Sequence, residues 1–213
     1  MIDTLIVLAK EPRPGFAKTR LTPPLSPGQA AVVATACLQD TLDTVGRTPA
    51  RRHLLAFAGS AVAWTPAGWD LVRQPGGGLD ERIVAAFEAA GPGSALLVGM
   101  DTPQLQPHHL LAFDPARHDA ALGPAADGGY WALGLRDAAR ARAVVAGVPM
   151  SRASTGAHQY ARMQADGLAV TLLDTLVDVD TADDLPAVLA HAPLGRFRQV
   201  VTALPPRVVG RAG

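Results

Sequence analysis

The sequence predicts an α/β protein, a single-domain three-layer α/β/α structure with a mostly parallel, Rossmann-like sheet. Short apolar runs alternate with longer segments of helical periodicity along most of the chain, as in successive β-α-β units. The apolar runs are hydrophobic throughout, which is expected for strands that are covered by helices on both faces. Of the 213 residues, 48% are hydrophobic, so the chain can bury the core of one domain.

Four strands and two helices are predicted in the first hundred residues. Ser26-Pro27-Gly28-Gln29 is typical of a helix start, with serine as the cap, proline at the first helical position and glutamine three residues after the serine. Apolar residues then recur at helical spacing until Gly46, which ends the helix. The predicted elements are a strand over 4–9, a helix over 27–46, strands over 53–58 and 71–74, a helix over 79–90 and a strand over 95–99.

The second half continues this alternation. The predicted elements are a helix from near Pro107, strands over 119–123 and 131–135, a helix from Ser154-Thr155 to Gly167, a strand over 168–173 and a last helix over 182–191. We expect one domain over residues 1–192, followed by a loosely ordered tail over 193–213. The alternative is that this tail is an arm packed on a partner subunit, in which case the protein would form a homodimer.

Composition excludes several classes of protein. The 19 basic and 19 acidic side chains cancel, so neither nucleic acid nor an anionic membrane is an expected partner. Cys37 is the single cysteine, which excludes an intrachain disulfide and a multi-cysteine metal site. We find no signal peptide and no apolar run near the roughly 20 residues that span a bilayer. A cytoplasmic protein is therefore expected.

The segment that follows the first strand, residues 9–21, is cationic and contains proline and glycine. It carries Lys10, Arg13, Lys18 and Arg20 around Gly15. Ligands of open α/β sheets bind at the carboxyl ends of strands, and Lys and Arg complement phosphate by charge and by their hydrogen-bond donors. The segment therefore indicates a phosphate site, although a surface loop of solvated cations would have the same composition.

Three aspartates indicate a metal site. Asp101 directly follows the strand over 95–99, where a hard cation can be held between carboxylate and phosphate, or where the aspartate can cap the next helix. Asp178 and Asp180 alternate along an extended segment, so their carboxylates share one side about 7 Å apart. Such a pair repels unless a cation or proton intervenes, which favours Mg²⁺ or Mn²⁺. Asp180 or Thr181 could instead cap the last helix, which leaves Asp178 unexplained.

Three further segments are candidates for contact with a ligand. Gln74 precedes Gly76-Gly77-Gly78, whose backbone allows close approach of a ligand, and Gln74 can offer a donor and an acceptor to a nucleobase. Residues 127–130, Asp-Gly-Gly-Tyr, are typical of a tight turn; a backbone cradle for an acceptor molecule is the alternative, with Tyr130 as its wall. Ser154-Thr155 is a helix cap first and a phosphate contact second.

Taken in order, these segments resemble a known family. Lys10…Pro12-Arg13-Pro14-Gly15…Lys18-Thr19-Arg20-Leu21, Asp101-Thr102-Pro103, Asp127-Gly128-Gly129-Tyr130, Ser154-Thr155 and Asp178-Val179-Asp180-Thr181 are similar to the motifs of the DUF2064 family. That family, often labelled radical-SAM/selenodomain-associated or glycosyltransferase-like, belongs to the nucleotide-diphospho-sugar transferase superfamily of GT-A fold. The resemblance spans about residues 4–190, and within the superfamily it is greatest to the 2-phospholactate guanylyltransferases.

The resemblance implies a role for each candidate residue. Lys18 and Arg20 would be catalytic phosphate contacts beside Asp101, and Asp101, Asp178 and Asp180 would hold Mg²⁺ or Mn²⁺. The residues implied for nucleotide binding are Ala9, Lys10, Arg13, Gly15, Gln74, Gly77 and Gly78. The residues implied for acceptor binding are Asp127, Gly128, Gly129, Tyr130, Ser154 and Thr155. Asp80 stands where relatives tend to carry glycine, so the resemblance does not specify which nucleobase the protein prefers.

The expected activity is metal-dependent nucleotidyl transfer, in which an NMP group moves from an NTP to a small phosphorylated or phosphonate acceptor and pyrophosphate is released. Two alternatives remain. One is glycosyl transfer from an NDP-sugar with the same metal site, and the other is a catalytically silent nucleotide-binding protein on the same fold.

Overall fold

A seven-stranded sheet organises the chain, which the computed structural model describes over residues 1–60 and 64–205. The strands are β1 (Thr4–Lys10), β2 (Arg52–Ala58), β3 (Asp70–Arg73), β4 (Ala95–Gly99), β5 (Ala120–Pro124), β6 (Tyr130–Leu135) and β7 (Val170–Leu172). Their order is β3-β2-β1-β4-β6-β5-β7. Among these strands only the pairings of β6 with β4 and β5 are antiparallel, so the predicted mostly parallel sheet is confirmed.

Helices pack on both faces of this sheet. Within the described ranges they are α1 (Pro27–Arg47), α2 (Leu79–Ala90), α3 (Pro107–Leu111), α4 (Ala141–Val145), α5 (Thr155–Ala165), α6 (Asp184–His191) and α7 (Arg196–Thr202). Leu5 and Val7 of β1 join the core beneath α1, whereas Ile6 joins the core beneath α2. Alternate side chains of this strand are thus buried on opposite faces, which explains its uninterrupted apolar sequence.

The start of α1 is the predicted capping box. The Gln29 backbone N–H donates to Ser26 Oγ at 3.2 Å, and the Ser26 N–H donates to Gln29 Oε1 at 2.9 Å. These bonds satisfy two donors of the helix end and its flank, and they set where α1 begins as the chain leaves the basic segment. The helices in the described part of the chain lack the combination of length and apolarity that crossing a bilayer requires.

The prediction that the fold ends at residue 192 needs correction. Helix α7 follows it and packs against α1 of the same chain, with Phe197 and Val201 fully buried. Asp40 of α1 accepts hydrogen bonds from the backbone N–H groups of Arg196 at 3.0 Å and Phe197 at 2.8 Å. The segment over 193–205 is therefore part of the domain and not a loose tail. The face of α7 that an arm would pack on a partner subunit is instead packed on α1 of the same chain. Residues 206–213 of the predicted tail lie outside the described residues.

Candidate functional site

A cleft of about 620 Å³ lies at one edge of the sheet. The carboxyl ends of β1 and β4 and the amino end of the antiparallel strand β6 meet at this edge, with Gln74 directly after β3. Helix α2, the loop over 146–154, the turn over 127–130, the basic segment and the segment over 178–180 form other parts of its wall. This is the place where ligands bind in open α/β sheets.

Most of the predicted site residues line the cleft. Those that do are Ala9, Lys10, Lys18, Arg20, Gln74, Asp101, Asp127, Gly129, Tyr130, Thr155, Asp178 and Asp180. Those that lie outside its lining are Arg13, Gly15, Gly77, Gly78, Gly128 and Ser154.

Lys18 and Asp101 form an ion pair between the basic segment and the end of β4. Lys18 Nζ lies 2.8 Å from Asp101 Oδ2, and only 6% of the Lys18 side chain is exposed. Burial alone would lower the pKa of Lys18, but the charge and hydrogen bond of Asp101 outweigh it and raise that pKa. Lys18 therefore stays a cation inside the cleft. Its backbone is left-handed, with φ 53° and ψ 40°, which turns the chain into a short 3-10 helix, Thr19–Leu21.

The second oxygen of Asp101 has no partner. Asp101 Oδ1 is buried and accepts no hydrogen bond within the described residues. An unpartnered buried carboxylate oxygen costs on the order of 1–3 kcal/mol, so it calls for a bound group. This atom is the observation that fits a divalent cation at the predicted position.

Asp178 lies beside this pair and shares its environment. The Thr102 hydroxyl donates to Asp178 Oδ1 at 3.2 Å, and the Val179 N–H donates to the Asp101 carbonyl oxygen at 2.9 Å. Burial, and then the charge of Asp101, raise the pKa of Asp178 from 3.8 to about 7, although Lys18 opposes the rise. Two carboxylates held this close with a single ammonium partner form a donor set suited to Mg²⁺ or Mn²⁺.

Asp180 lines the same cleft but is paired with Arg20. Arg20 Nη1 donates to Asp180 Oδ2 at 2.6 Å, and both side chains are partly exposed. The capping alternative for this segment is wrong, because the Asp184 carboxylate reaches back to the N–H groups of Asp180 at 3.0 Å and Thr181 at 2.6 Å. The Asp180 carboxylate is therefore not engaged in starting α6, and its role as a metal ligand stays a prediction.

Gln74 is held so that only its oxygen faces a ligand. Its Nε2 donates to the carbonyl oxygens of Ala9 at 2.7 Å and Ala56 at 2.8 Å, at the ends of β1 and β2. Both amide hydrogens are then used, since a primary amide has two. The opposite orientation would set Oε1 against two carbonyl oxygens, so the expected donor to a nucleobase is lost and the acceptor remains.

The glycines after Gln74 are explained by the entry into α2. The Gly78 N–H donates to Glu81 Oε2 at 3.0 Å, and a Cβ on Gly77, whose φ is +103°, would lie 1.8 Å from the same oxygen. On the basic segment, Arg13 pairs with Glu11 at 3.2 Å and covers the Phe16 ring at 4.7 Å, outside the cleft. The segment is thus divided, with Lys10, Lys18 and Arg20 facing the cleft.

The turn over 127–130 holds the far wall of the cleft. Asp127 Oδ1 accepts from the Gly129 N–H at 2.8 Å, as expected for a tight turn. The Gly128 carbonyl accepts from the Gly156 N–H at 2.9 Å, and a Cβ on Gly128 would lie 1.9 Å from the Ala153 carbonyl oxygen. Ser154 precedes α5 without a capping hydrogen bond from its side chain. These glycines therefore allow the turn and the start of α5 to touch.

Thr155 and Tyr130 also act through neighbouring protein. Thr155 Oγ1 accepts from the Arg152 N–H at 3.0 Å and donates to the Pro149 carbonyl at 2.9 Å. The Tyr130 hydroxyl donates to Gln159 Oε1 at 3.4 Å, and burial raises the pKa of this phenol, which stays protonated. Both residues line the cleft, where they shape its wall.

Sequence reasoning missed several lining residues, namely Leu79, Arg82, Ile83, Thr102, Met150, Ser151 and Arg152. Thr102 stands within the motif Asp101-Thr102-Pro103 but was assigned no role, and Arg82 lies in the predicted helix over 79–90. The loop over 146–153 had no periodicity or motif, so nothing local placed it in the cleft.

A second group of potential ligands, His108, His109 and Asp174, does not fit a cation as well. Their ligand atoms lie within 4.8 Å of one another. However, His109 Nδ1 accepts from the Gln106 N–H at 3.0 Å, which places the ring proton of neutral His109 on Nε2. In a metal-binding histidine, one ring nitrogen donates its N–H to a protein acceptor and the other ring nitrogen binds the metal through its lone pair. In His109 the nitrogen that contacts the protein accepts a hydrogen bond instead, so the other nitrogen carries the proton.

Similar solved structures support this description of the fold. A candidate nucleotide-diphospho-sugar transferase from Desulfovibrio desulfuricans G20 is 26% identical, with 95% of each chain covered and a TM-score of 0.86. The 2-C-methyl-D-erythritol 4-phosphate cytidylyltransferase from Thermus thermophilus is 19% identical, covering 90% of this chain and 99% of that one, with a TM-score of 0.56. The manganese complex of Rv0371C from Mycobacterium tuberculosis H37Rv is 18% identical, covering 96% and 100%, with a TM-score of 0.52.

These likenesses confirm the predicted fold of the nucleotide-diphospho-sugar transferases, and the two at lower identity show the fold alone. No curated protein matches the chain by sequence. Residues 32–152, more than half of the chain, match the family described as "Uncharacterized protein conserved in bacteria (DUF2064)". The chain therefore belongs to the DUF2064 family, as its motifs predicted.

Proposed function

We propose that this protein is a metal-dependent nucleotidyltransferase that moves an NMP group from an NTP to a small phosphorylated or phosphonate acceptor. The observation that carries the proposal is the unpartnered, buried Oδ1 of Asp101, whose other carboxylate oxygen pairs with Lys18 in a cleft that Asp178 and several cations also line. A carboxylate cluster beside unneutralised cations is the arrangement needed to hold a polyphosphate and its counter-ion together.

Asp101 and Asp178 would hold the divalent ion, with Asp180 as the third candidate ligand at the same cleft. A bound Mg²⁺ or Mn²⁺ supplies charge neutralisation and alignment of phosphate oxygens. The manganese complex of the Mycobacterium tuberculosis neighbour supports a divalent metal on this fold, although identity to it is only 18%.

The cations of the basic segment would bind the phosphates that leave. Lys18 and Arg20 are fixed by their carboxylate partners at 2.8 and 2.6 Å, and Lys10 lines the cleft beside them. Donors fixed before the reaction stabilise developing charge without reorganising at that moment. They would therefore stabilise the pyrophosphate as the bond between the α-phosphorus and its bridging oxygen breaks.

The acceptor oxygen would attack the α-phosphorus on the side opposite to pyrophosphate. The new phosphorus–oxygen bond forms as the bridging bond breaks, and the electron pair of that bond leaves with pyrophosphate. A phosphate or phosphonate oxygen is already anionic, so no proton has to be removed. This agrees with a cleft whose described lining contains neither histidine nor glutamate.

Product analysis tests the proposal. The protein is incubated with each NTP, Mg²⁺ or Mn²⁺ and a set of phosphorylated acceptors, and pyrophosphate is measured. Release of pyrophosphate that depends on metal, and that falls at least a hundredfold in Asp101→Asn, is the expected result. If nucleotides bind but neither Asp101→Asn nor Lys18→Met changes turnover of any substrate, the protein is a silent binder and the proposal is wrong.

Glycosyl transfer is the second candidate, favoured by the likeness to the Desulfovibrio neighbour, a candidate nucleotide-diphospho-sugar transferase. It would use an NDP-sugar at the same metal site. Release of an NDP instead of pyrophosphate, with no product from any NTP, would establish it in place of nucleotidyl transfer.

A further inference from the structure

Five cationic side chains line the cleft, and they differ in their partners. Lys18 and Arg20 are each bound to an aspartate. Lys10, Arg82 and Arg152 form no ion pair with any residue of the described ranges, although all three line the cleft. Cations without a protein carboxylate leave charge to be neutralised by a ligand.

Arg82 lies on the first turn of α2, on the wall away from the basic segment. It is half-buried, and the one hydrogen bond of its guanidinium within the described chain runs from Nε to the Gly78 carbonyl at 3.3 Å. Its two terminal nitrogens thus have no protein acceptor there. Leu79 and Ile83 on either side also line the cleft, so the guanidinium stands in a partly apolar wall where its charge is less screened.

Arg152 is carried by a loop whose backbone is fixed. Its N–H donates to Thr155 Oγ1 at 3.0 Å, and the preceding residue, Ser151, has a positive φ of 57°. A left-handed conformation is uncommon for serine, so it persists only where the surroundings determine it. The loop therefore holds Arg152 at the cleft while the side chain itself is exposed.

Asp80 joins the segments that carry the two arginines. The Gly147 N–H donates to Asp80 Oδ2 at 2.9 Å, which ties the first turn of α2 to the loop of Arg152. This gives a reason for an aspartate at position 80, where a glycine could make no such bond. The bond also lowers the pKa of Asp80, which stays ionised.

We propose that Arg82 and Arg152 form a second anion subsite, which receives the phosphoryl or phosphonate group of the acceptor. This inference rests on the proposed function, since it adds a subsite for the acceptor to the proposed nucleotide subsite at Lys10, Lys18 and Arg20. Guanidinium groups bind tetrahedral oxyanions through two parallel hydrogen bonds, which orients the ligand as well as attracting it. An acceptor held there would share one cleft with the carboxylates of Asp101 and Asp178.

Phosphate titration tests this subsite. Inorganic phosphate is titrated by calorimetry onto the protein alone, and onto the protein saturated with Mg²⁺ and an α,β-methylene NTP analogue, which occupies the nucleotide subsite. We expect phosphate to bind in both states. Arg82→Gln and Arg152→Gln should each weaken it about tenfold while leaving analogue affinity within about twofold. Arg152→Lys should bind phosphate with intermediate affinity, because lysine keeps the positive charge but lacks the paired N–H donors of the guanidinium group.

Arg117→Gln is the matched control, because Arg117 is also exposed and forms no ion pair within the described ranges but lies outside the cleft. Equal phosphate affinity in wild type, Arg82→Gln and Arg152→Gln overturns the inference. So does a loss of analogue affinity in these variants with phosphate binding retained, which assigns the arginines to the nucleotide. If wild type binds no analogue with any base, the proposed function fails, and phosphate binding by the protein alone still decides whether this subsite exists.

Discussion

Replacing Asp178 by asparagine should stabilise the metal-free protein at alkaline pH. Burial and the charge of Asp101 raise the pKa of Asp178 from 3.8 to about 7. The folded state therefore keeps a proton that the unfolded state has lost. Stability is highest below about pH 4, and part of it is lost as the pH rises to about 7. Asparagine cannot ionise and can keep Oδ1 as the acceptor for Thr102, so the variant avoids this loss.

The magnitude follows from the shift. A rise of roughly three pKa units corresponds to at most about 4 kcal/mol. Asp178 keeps some contact with solvent, which screens part of this, so we expect on the order of 2 kcal/mol. For a chain of this size that is about 4–8 °C in Tm. The Tm of Asp178→Asn minus that of wild type should be small at pH 4.5 and positive by this amount at pH 8.5.

The assay is thermal unfolding in a chelator at both pH values, followed by the same scan with excess Mn²⁺. Manganese should reverse the order at pH 8.5, because wild type gains binding free energy that a variant with one fewer ligand lacks. Asp183→Asn is the control, since Asp183 is exposed and its side chain makes no capping bond. The reasoning is refuted if Asp178→Asn is no more stable than wild type at pH 8.5, or if the difference is equal at both pH values.

Three more predictions concern the cleft and the carboxyl-terminal helix. Lys18→Met should lower kcat/KM for pyrophosphate release at least a hundredfold, because it removes the ammonium 2.8 Å from Asp101; unchanged kcat/KM in a folded variant would contradict the role of Lys18. Gly128→Ala should lower Tm and raise the acceptor KM, since its Cβ would lie 1.9 Å from the Ala153 carbonyl oxygen, whereas Gly167→Ala, with φ +76° and open space, should show backbone strain only. Phe197→Ala should cost about 3–5 kcal/mol in urea denaturation, because the ring is fully buried against α1, and a loss below about 1 kcal/mol would mean that α7 is not part of the core.

The cleft could be located from the sequence because strand ends are a local signal. An apolar run followed by Asp101, and another followed by the basic segment, predicted that carboxylates and cations would meet at one edge of a parallel sheet. The structure brings Lys18, Asp101, Asp178 and Asp180 to that edge. The Ser26 capping box was likewise predictable, because both of its partners lie within four residues.

The wall formed by the loop over 146–154 could not be located in this way. Arg152 lies in a loop without periodicity, and its place depends on the bonds of Asp80 with Gly147 and of Thr155 with Pro149. The helix α7 was missed for a related reason. Its seven residues are too few for a strong periodic signal, and its burial depends on a face of α1 that precedes it by about 150 residues.

The sequence by itself determined the layers of the fold, the family and the edge of the sheet where charged groups collect, because each depends on the order of neighbouring residues. Tertiary structure alone decided which charges are neutralised. Lys18 meets Asp101 across 83 positions, Arg20 meets Asp180 across 160, and Arg82 and Arg152 meet no carboxylate within the described chain. Pairing and burial depend on distance in space, which no local pattern specifies, and they set both the pKa of Asp178 and the unpartnered oxygen of Asp101.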